Sequence, residues 1–352
     1  MNDRVEHSGN TGPAPSELEA ARLVLARMGV APEDLVGSVV ESCVVPTFAE
    51  YVPVVEQAVS VGTRRVYGSY WKRVLEFWGE RRLDEPTASE IKHLAERVRS
   101  QRVVRRNARG GRSAVEHCIA ALRCVYRHAV ADGILSESQD PARRVAMPRR
   151  LPSTRRGLGE QPVAELNRVA ASTGNDPALD TLLLRLHTET ACRRGGALAL
   201  RVADLDPDQC LVLLREKNDT VRWQPVSPTL MRHLREHADQ RGAHVSGDGR
   251  VLRYRSGAAL THRRYDHLWH RLGQHVSWVA TQQVSTHWLR YTTLTWVERH
   301  FGYAVARAYA GHTDHAGQDG ATATYVRAGL PEIATALAAL TGEEHPLVRS
   351  SG

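Results

Sequence analysis

Residues 210–227 read CLVLLREKNDTVRWQPVS. Two β-rich runs, 210–215 and 221–227, flank the polar EKNDT, the pattern of an antiparallel hairpin. Lys217 falls at its tip and is the only lysine between residue 93 and the C-terminus. Helices are expected on both sides: a long one over about 177–191, then others near 228–239, 263–277, 287–299, 302–310, 320–328 and 331–340. The expected fold class is therefore mainly α with a small antiparallel β-sheet.

Upstream, 47–146 reads as a helical domain. TRRVYGSYWKRVLEFWGE (63–80) sets Val66, Tyr70, Val74, Phe77 and Trp78 on one helix face. Pro86–Thr87 opens a second helix with Ile91, Leu94 and Val98 in register. A third, 113–132, carries Val115, Cys118, Ile119, Leu122, Val125 and Tyr126 and stops at Gly133. MPRRLPSTRRGLG (147–159) is a Pro/Gly/Arg linker. The expected organisation is an acidic extension over 1–44, a helical domain over 45–148, a linker over 149–159 and a second domain over 160–352. Within the extension, Ser16 is expected to cap a helix over 17–28.

The 352 residues carry 47 Lys+Arg against 39 Asp+Glu, a net charge of +8. The charge is uneven: residues 1–44 are net −4 and the remaining 308 are net +12. KHLAERVRSQRVVRRNARGGR (92–112) holds Arg97, Arg99, Arg102, Arg105, Arg106, Arg109 and Arg112 against the single acid Glu96. A second run holds Arg143, Arg144, Arg149, Arg150, Arg155 and Arg156. One such run reads as a solvated face. Two runs around one helical segment point to a polyanion, because arginine offers phosphate a bidentate fork and each neutralised phosphate releases counterion. No stretch is long and apolar enough for a transmembrane helix, and the polar start is not a secretory signal. Five cysteines with no CxxC pair argue against a disulfide framework or zinc finger. The expected location is the cytoplasm.

The chemistry-bearing residues lie in the second domain. Arg193 and Arg290 stand in different helical contexts, and His287 shares a helix face with Arg290. Gly311 suits a helix C-cap and sets His312 at a corner. Tyr325, the last tyrosine, follows 13 residues later. Two arginines, two histidines, a lysine and a tyrosine are a kit for phosphodiester chemistry without metal. Arginines neutralise charge on the non-bridging oxygens, a tyrosine hydroxyl can attack phosphorus, and a lysine can protonate the leaving oxygen. Tyr303 and Tyr309 read as helix-packing residues.

These motifs resemble the tyrosine recombinase, or phage integrase, family. TETACRRGGALALRVADLD (188–206) is similar to its first box, Lys217 to its hairpin lysine, His287-Trp288-Leu289-Arg290 to its His-x-x-Arg box, Ala310-Gly311-His312 to Leu-Gly-His and Thr324-Tyr325-Val326 to its nucleophile box. The likeness covers roughly 47–340, with specific motifs in the C-terminal half. It implies a helical core-binding (SAM-like) domain and a catalytic domain clamped on duplex DNA recombination sites. It also implies a homo-tetramer on two sites, and no metal, ATP or other cofactor. Tyr325 would form a 3′-phosphotyrosine, with Arg193, Arg290, His287 and His312 holding the phosphorus and Lys217 as general acid. An accessory or directionality protein and a nucleoid location go with that reading.

Ala191 and Ala310 depart from the family's glycine and leucine, and the gap from His312 to Tyr325 is longer by about four residues. Gly196 stands where the family has an organising acid; its loss is expected either to slow catalysis or to be covered by another group, Glu189 or Asp204. PEIATALAALTG (331–342), with Ile333, Leu337 and Leu340 in a stripe, packs either on another copy or on its own core. Three alternatives stay open: a catalytically inactive DNA-binding protein of the same fold, a monomeric type IB topoisomerase-like enzyme, and a metal site on His312 and His315, with Asp314 between them and a further ligand from His287 or His300.

Overall fold

The computed structural model describes residues 15–29, 45–101, 111–149, 153, 155–216, 220–311 and 328–349. The chain is mainly α with one small antiparallel sheet. It divides into two compact units, 1–151 and 152–352.

The first unit holds α1 (Pro15–Arg27), α2 (Phe48–Ala58), α3 (Val61–Trp78), α4 (Ala88–Ser100) and α5 (Arg112–Ala131). Helix α1 includes Ser16, against the expected start at residue 17. Thr47 and Thr87 cap α2 and α4 with reciprocal bonds to Glu50 and Glu90, which satisfies otherwise orphaned amides. The buried face of α3 matches the expected one in part, with Tyr70 and Phe77 partly buried against the core. Trp71, Val74 and Trp78 are buried, whereas Val66 is exposed. The indole of Trp71 decides this: it is fully buried and donates to Ala121 O at 3.0 Å, a bond that only one rotation of α3 permits. Tyr126 closes the same core by donating to Leu83 O at 3.0 Å. All six apolar residues expected on α5 are buried.

The second unit holds α6 (Glu160–Ser172), α7 (Pro177–Thr190), α8 (Arg194–Ala199), β1 (Leu205–Asp206), β2 (Leu211–Arg215), β3 (Val221–Pro225), α9 (Pro228–Gln240), α10 (His262–His275), α11 (Ser277–Gln282), α12 (Thr286–Tyr309), α13 (Leu330–Thr341) and α14 (Pro346–Arg349). The sheet order is β1-β2-β3, antiparallel, with Leu213 opposite Trp223. Helix α12 is broken at Gly302, whose φ of 82° is outside the helical region. The main core packs Leu183, Leu186, Val212, Leu214, Leu230, Leu268 and Leu289. Ile333 and Leu337 of α13 are buried with Val297, Ala306 and Tyr309, so this helix covers a core of its own unit. Tyr309 is fully buried; Tyr303 is exposed, against the expectation that both pack. No helix among the described residues is long and apolar enough to cross a membrane.

Candidate active site

The site forms where α7 ends. Ala191 follows the last turn in the left-handed conformation, φ 49°, at the position where the resemblance places glycine. The last four carbonyls of a helix have no partner within it. Here each meets a side-chain donor from elsewhere. Thr293 donates to Thr188 O at 2.6 Å, and the Tyr309 hydroxyl to Glu189 O. Arg222 donates to Thr190 O at 3.3 Å, and Arg290 Nη1 to Ala191 O. The two guanidinium groups also face the negative end of the helix dipole. Arg290 Nη2 donates to Ala310 O at 2.8 Å, so one buried guanidinium joins the C-terminal ends of α7 and α12.

Three residues past α7, Arg193 takes extended backbone and leads into α8. Its side chain is 36 % exposed, and its Nη1 donates to Glu216 Oε2 at 2.9 Å. The Arg193 amide donates to Glu216 Oε1. Glu216 follows β2, and its side chain is wholly buried. Arg222 of β3 places Nε 3.9 Å from the same carboxylate. Burial lowers the Arg290 pKa to about 10, helped by the Arg193 charge beside it; Glu216 opposes the shift. Arg290 is still a cation at neutral pH. His287 is exposed at the edge of the cluster. Its pKa is lowered by partial burial and then by the charges of Arg155, Arg290 and Arg193, so it is mainly neutral at pH 7. Arg193, Arg222 and Arg290 thus come together around one buried carboxylate, with His287 beside them and Arg155 near His287, an arrangement from four separate stretches of chain suited to an anion with several oxygens.

Neither acid expected to replace the one missing at Gly196 does so. Glu189 is bound to Arg185 and Ser227, and Asp204 to Arg215 and the Arg201 amide. The carboxylate bonded to Arg193 is that of Glu216. Sequence reasoning missed it, along with Arg222, Thr293 and the capping role of Tyr309. Lys217, His312 and Tyr325 lie outside the described residues, as do His315 and Asp314. Among the described residues no group of His, Cys, Asp or Glu could hold a metal ion.

Of the arginines expected on DNA, Arg102, Arg105, Arg106, Arg109 and Arg150 lie outside the described residues. Arg97 stacks on the Phe77 ring at 4.0 Å, and Arg99 pairs with Glu96 at 2.6 Å. Arg112, Arg149, Arg155 and Arg156 are exposed.

Residues 158–327 match the family model described as phage integrase family. The chain carries a phage integrase family domain. No curated protein matches the chain. Solved structures with the same fold include a lambda integrase tetramer bound to a Holliday junction, 14% identical, TM-score 0.59, covering 87% of this chain and 88% of that one. The Tn1549 transposon integrase in complex with transposon right end DNA is 12% identical, TM-score 0.60, covering 79% and 97%. XerH site-specific recombinase bound to palindromic difH substrate is 13% identical, TM-score 0.57, covering 76% and 78%. The phage integrase match spans Arg193, Glu216, Arg222, His287 and Arg290, and in sequence also Lys217, His312 and Tyr325.

Proposed function

We propose that this protein is a site-specific DNA recombinase that cuts and rejoins duplex DNA through a 3′-phosphotyrosine intermediate. The observation that carries the reading is the convergence of Arg193, Arg290, His287 and Arg155 at the end of α7. In this reading the Tyr325 oxygen attacks a scissile phosphate. The phenolic proton is released, the bond from phosphorus to the 5′-oxygen breaks, and Lys217 protonates that oxygen. Arg193 and Arg290 neutralise the charge that builds on the non-bridging oxygens, and His287 and His312 hydrogen-bond to them. A 5′-hydroxyl from a second duplex reverses the step and completes the exchange. The phosphotyrosine keeps the bond energy, so neither ATP nor a metal is needed.

The first unit grips the duplex. Its Arg97, Arg99, Arg102, Arg105, Arg106, Arg109, Arg112, Arg149 and Arg150 meet phosphates, as do Arg155 and Arg156 of the second unit. Residues 1–44, net −4, have the wrong sign for DNA and are left for a protein partner. Two sites joined by four copies make the working assembly, acting at the nucleoid.

The test is a nicked duplex from the DNA flanking the coding region, built so that the short fragment bearing the freed 5′-hydroxyl diffuses away. Wild type and Tyr325→Phe are run on a denaturing protein gel with chelator present. A DNA-labelled, slower band in wild type alone supports the reading. Retarded DNA on a native gel with no covalent band from either protein favours the inactive DNA-binding alternative. A band that survives in Tyr325→Phe means a different nucleophile.

A further inference from the structure

We propose that Glu216 is the positioning residue for Arg193, and that Gly196 is a glycine because the Glu216 carboxylate occupies the space its side chain would need. This rests on the recombinase reading for the reaction it serves; the bonds themselves do not.

Glu216 holds Arg193 at two points. Oε1 accepts from the Arg193 amide, and Oε2 accepts from Nη1 at 2.9 Å. A single bond would leave the guanidinium free to swing. Two bonds, one to backbone and one to side chain, fix both the origin and the direction of the arginine. With Nη1 committed, Nε and Nη2 are left for a phosphate. The same carboxylate faces Arg222 Nε at 3.9 Å, and that nitrogen is buried without a hydrogen bond among the described residues. Glu216 is therefore the counter-charge of a cluster whose other charged members, Arg193, Arg222 and Arg290, are cations. Lys217 is the next residue in the chain, and the Glu216 amide closes the base of the hairpin on Thr220 O at 2.8 Å. One residue thus ties the hairpin to Arg193.

Gly196 makes room for this. A Cβ there would lie 3.0 Å from Glu216 Cγ and 3.3 Å from Oε1. Gly196 lies in α8, where alanine would be the better helix former. The glycine therefore forgoes helix propensity in favour of the carboxylate. A buried ion pair is weak evidence for stability, because desolvation offsets the Coulomb gain. What it supplies here is a guanidinium fixed in advance of the reaction.

Two measurements test this. The first needs no DNA. In ¹⁵N NMR the Arg193 guanidinium, assigned by its loss in Arg193→Lys, gives separate Nη resonances in wild type because the two-point grip stops it turning. Glu216→Gln merges them. The second is covalent-adduct formation on nicked duplexes tiled from the DNA flanking the coding region, with a phosphate or a neutral methylphosphonate at the cleaved position. On phosphate, Glu216→Gln is slower by roughly 10- to 100-fold, below the loss expected for deleting a charge-stabilising donor outright, and DNA affinity stays within about threefold. On methylphosphonate the deficit shrinks, since the charge that Arg193 neutralises is gone; a merely structural defect would persist. Gly196→Ala, which keeps the charge and crowds the carboxylate, is slower in the same way and decides the matter if Glu216→Gln does not fold. Wild-type rates in both variants overturn the proposal, as does an equal deficit on both substrates. Absence of any adduct from wild type overturns the recombinase reading itself, and with it the role of Glu216 in that reaction, even if the NMR signature of the grip is seen.

Discussion

Gly311 is constrained in two ways. Its φ is 66°, and a Cβ there would fall 2.4 Å from both Cδ and Nε of Arg222. Arg222 cannot yield easily, because it caps Thr190 O and bonds Gln224. Gly311→Ala is therefore expected to cost about 2–4 kcal/mol, the sum of left-handed strain and overpacking, in a denaturant or thermal titration. Arg193 differs, since half of its work is turned outward. Arg193→Ala should slow DNA cleavage by roughly 10²–10³ while leaving DNA affinity nearly unchanged, and should lower the melting temperature because the buried Glu216 carboxylate loses a partner. A comparable loss of affinity would mean that Arg193 binds ground-state DNA rather than the transition state. The sequence marked Arg193, His287 and Arg290 because each falls in a short ordered motif. It did not mark Glu216, whose partner is 23 residues away across a hairpin and leaves no local pattern. The absence of a side chain at Gly196 was the available clue, and it pointed toward the wrong acids.

At the scale of elements, the capped end of α7 is what the second unit builds its site on. Just inside that end, His187 is fully enclosed. Cys192 O can only accept, so Nδ1 carries the hydrogen, and Nε2 accepts from the Tyr265 hydroxyl at 2.9 Å. Burial lowers the His187 pKa to about 4, and that of His237 on α9 to about 4 as well. The unfolded chain takes up these protons near the usual 6.5, and the fold refuses them until about 4. Stability is then full above about pH 6.5 and lost as pH falls through that window, on the order of 2 kcal/mol for each histidine by about pH 5. Urea titrations at about pH 7 and pH 5 measure the drop, and His187→Gln should flatten the slope though it lowers stability at both. Helices with a clean stripe, α4 and α5, were legible from spacing alone. Helix α3 was legible in part: Tyr70, Val74, Phe77 and Trp78 pack on the core as the spacing implies, but Val66 does not, and Trp71 joins them through its bond to α5. The six-residue α8 and α11 are too short to show a period.

Across the whole molecule, the excess charge sits outside the first 44 residues, and DNA binding should be strongly salt-dependent. Arg149 and Arg156 are exposed and outside the motif cluster. Changing both to alanine should lower the slope of log affinity against log salt by about 2, at roughly 0.9 for each phosphate left without its arginine, with no change in site preference. An unchanged slope would take these residues off the DNA. The division between the two compact units, at 151–152, falls within the Pro/Gly/Arg stretch at 147–159. How four copies would assemble is written in no single motif.

The central claim is that a tyrosine becomes covalently joined to DNA beside the Arg193–Arg290 cluster. The most direct measurement is mass spectrometry of the tryptic peptide spanning 308–327 after reaction with a nicked duplex and nuclease trimming. This peptide holds both Tyr309 and Tyr325. The account predicts a nucleotide 3′-phosphate on fragment ions containing Tyr325. An adduct on Tyr309 or on another peptide, or none on DNA that the protein binds at a specific site, would contradict it.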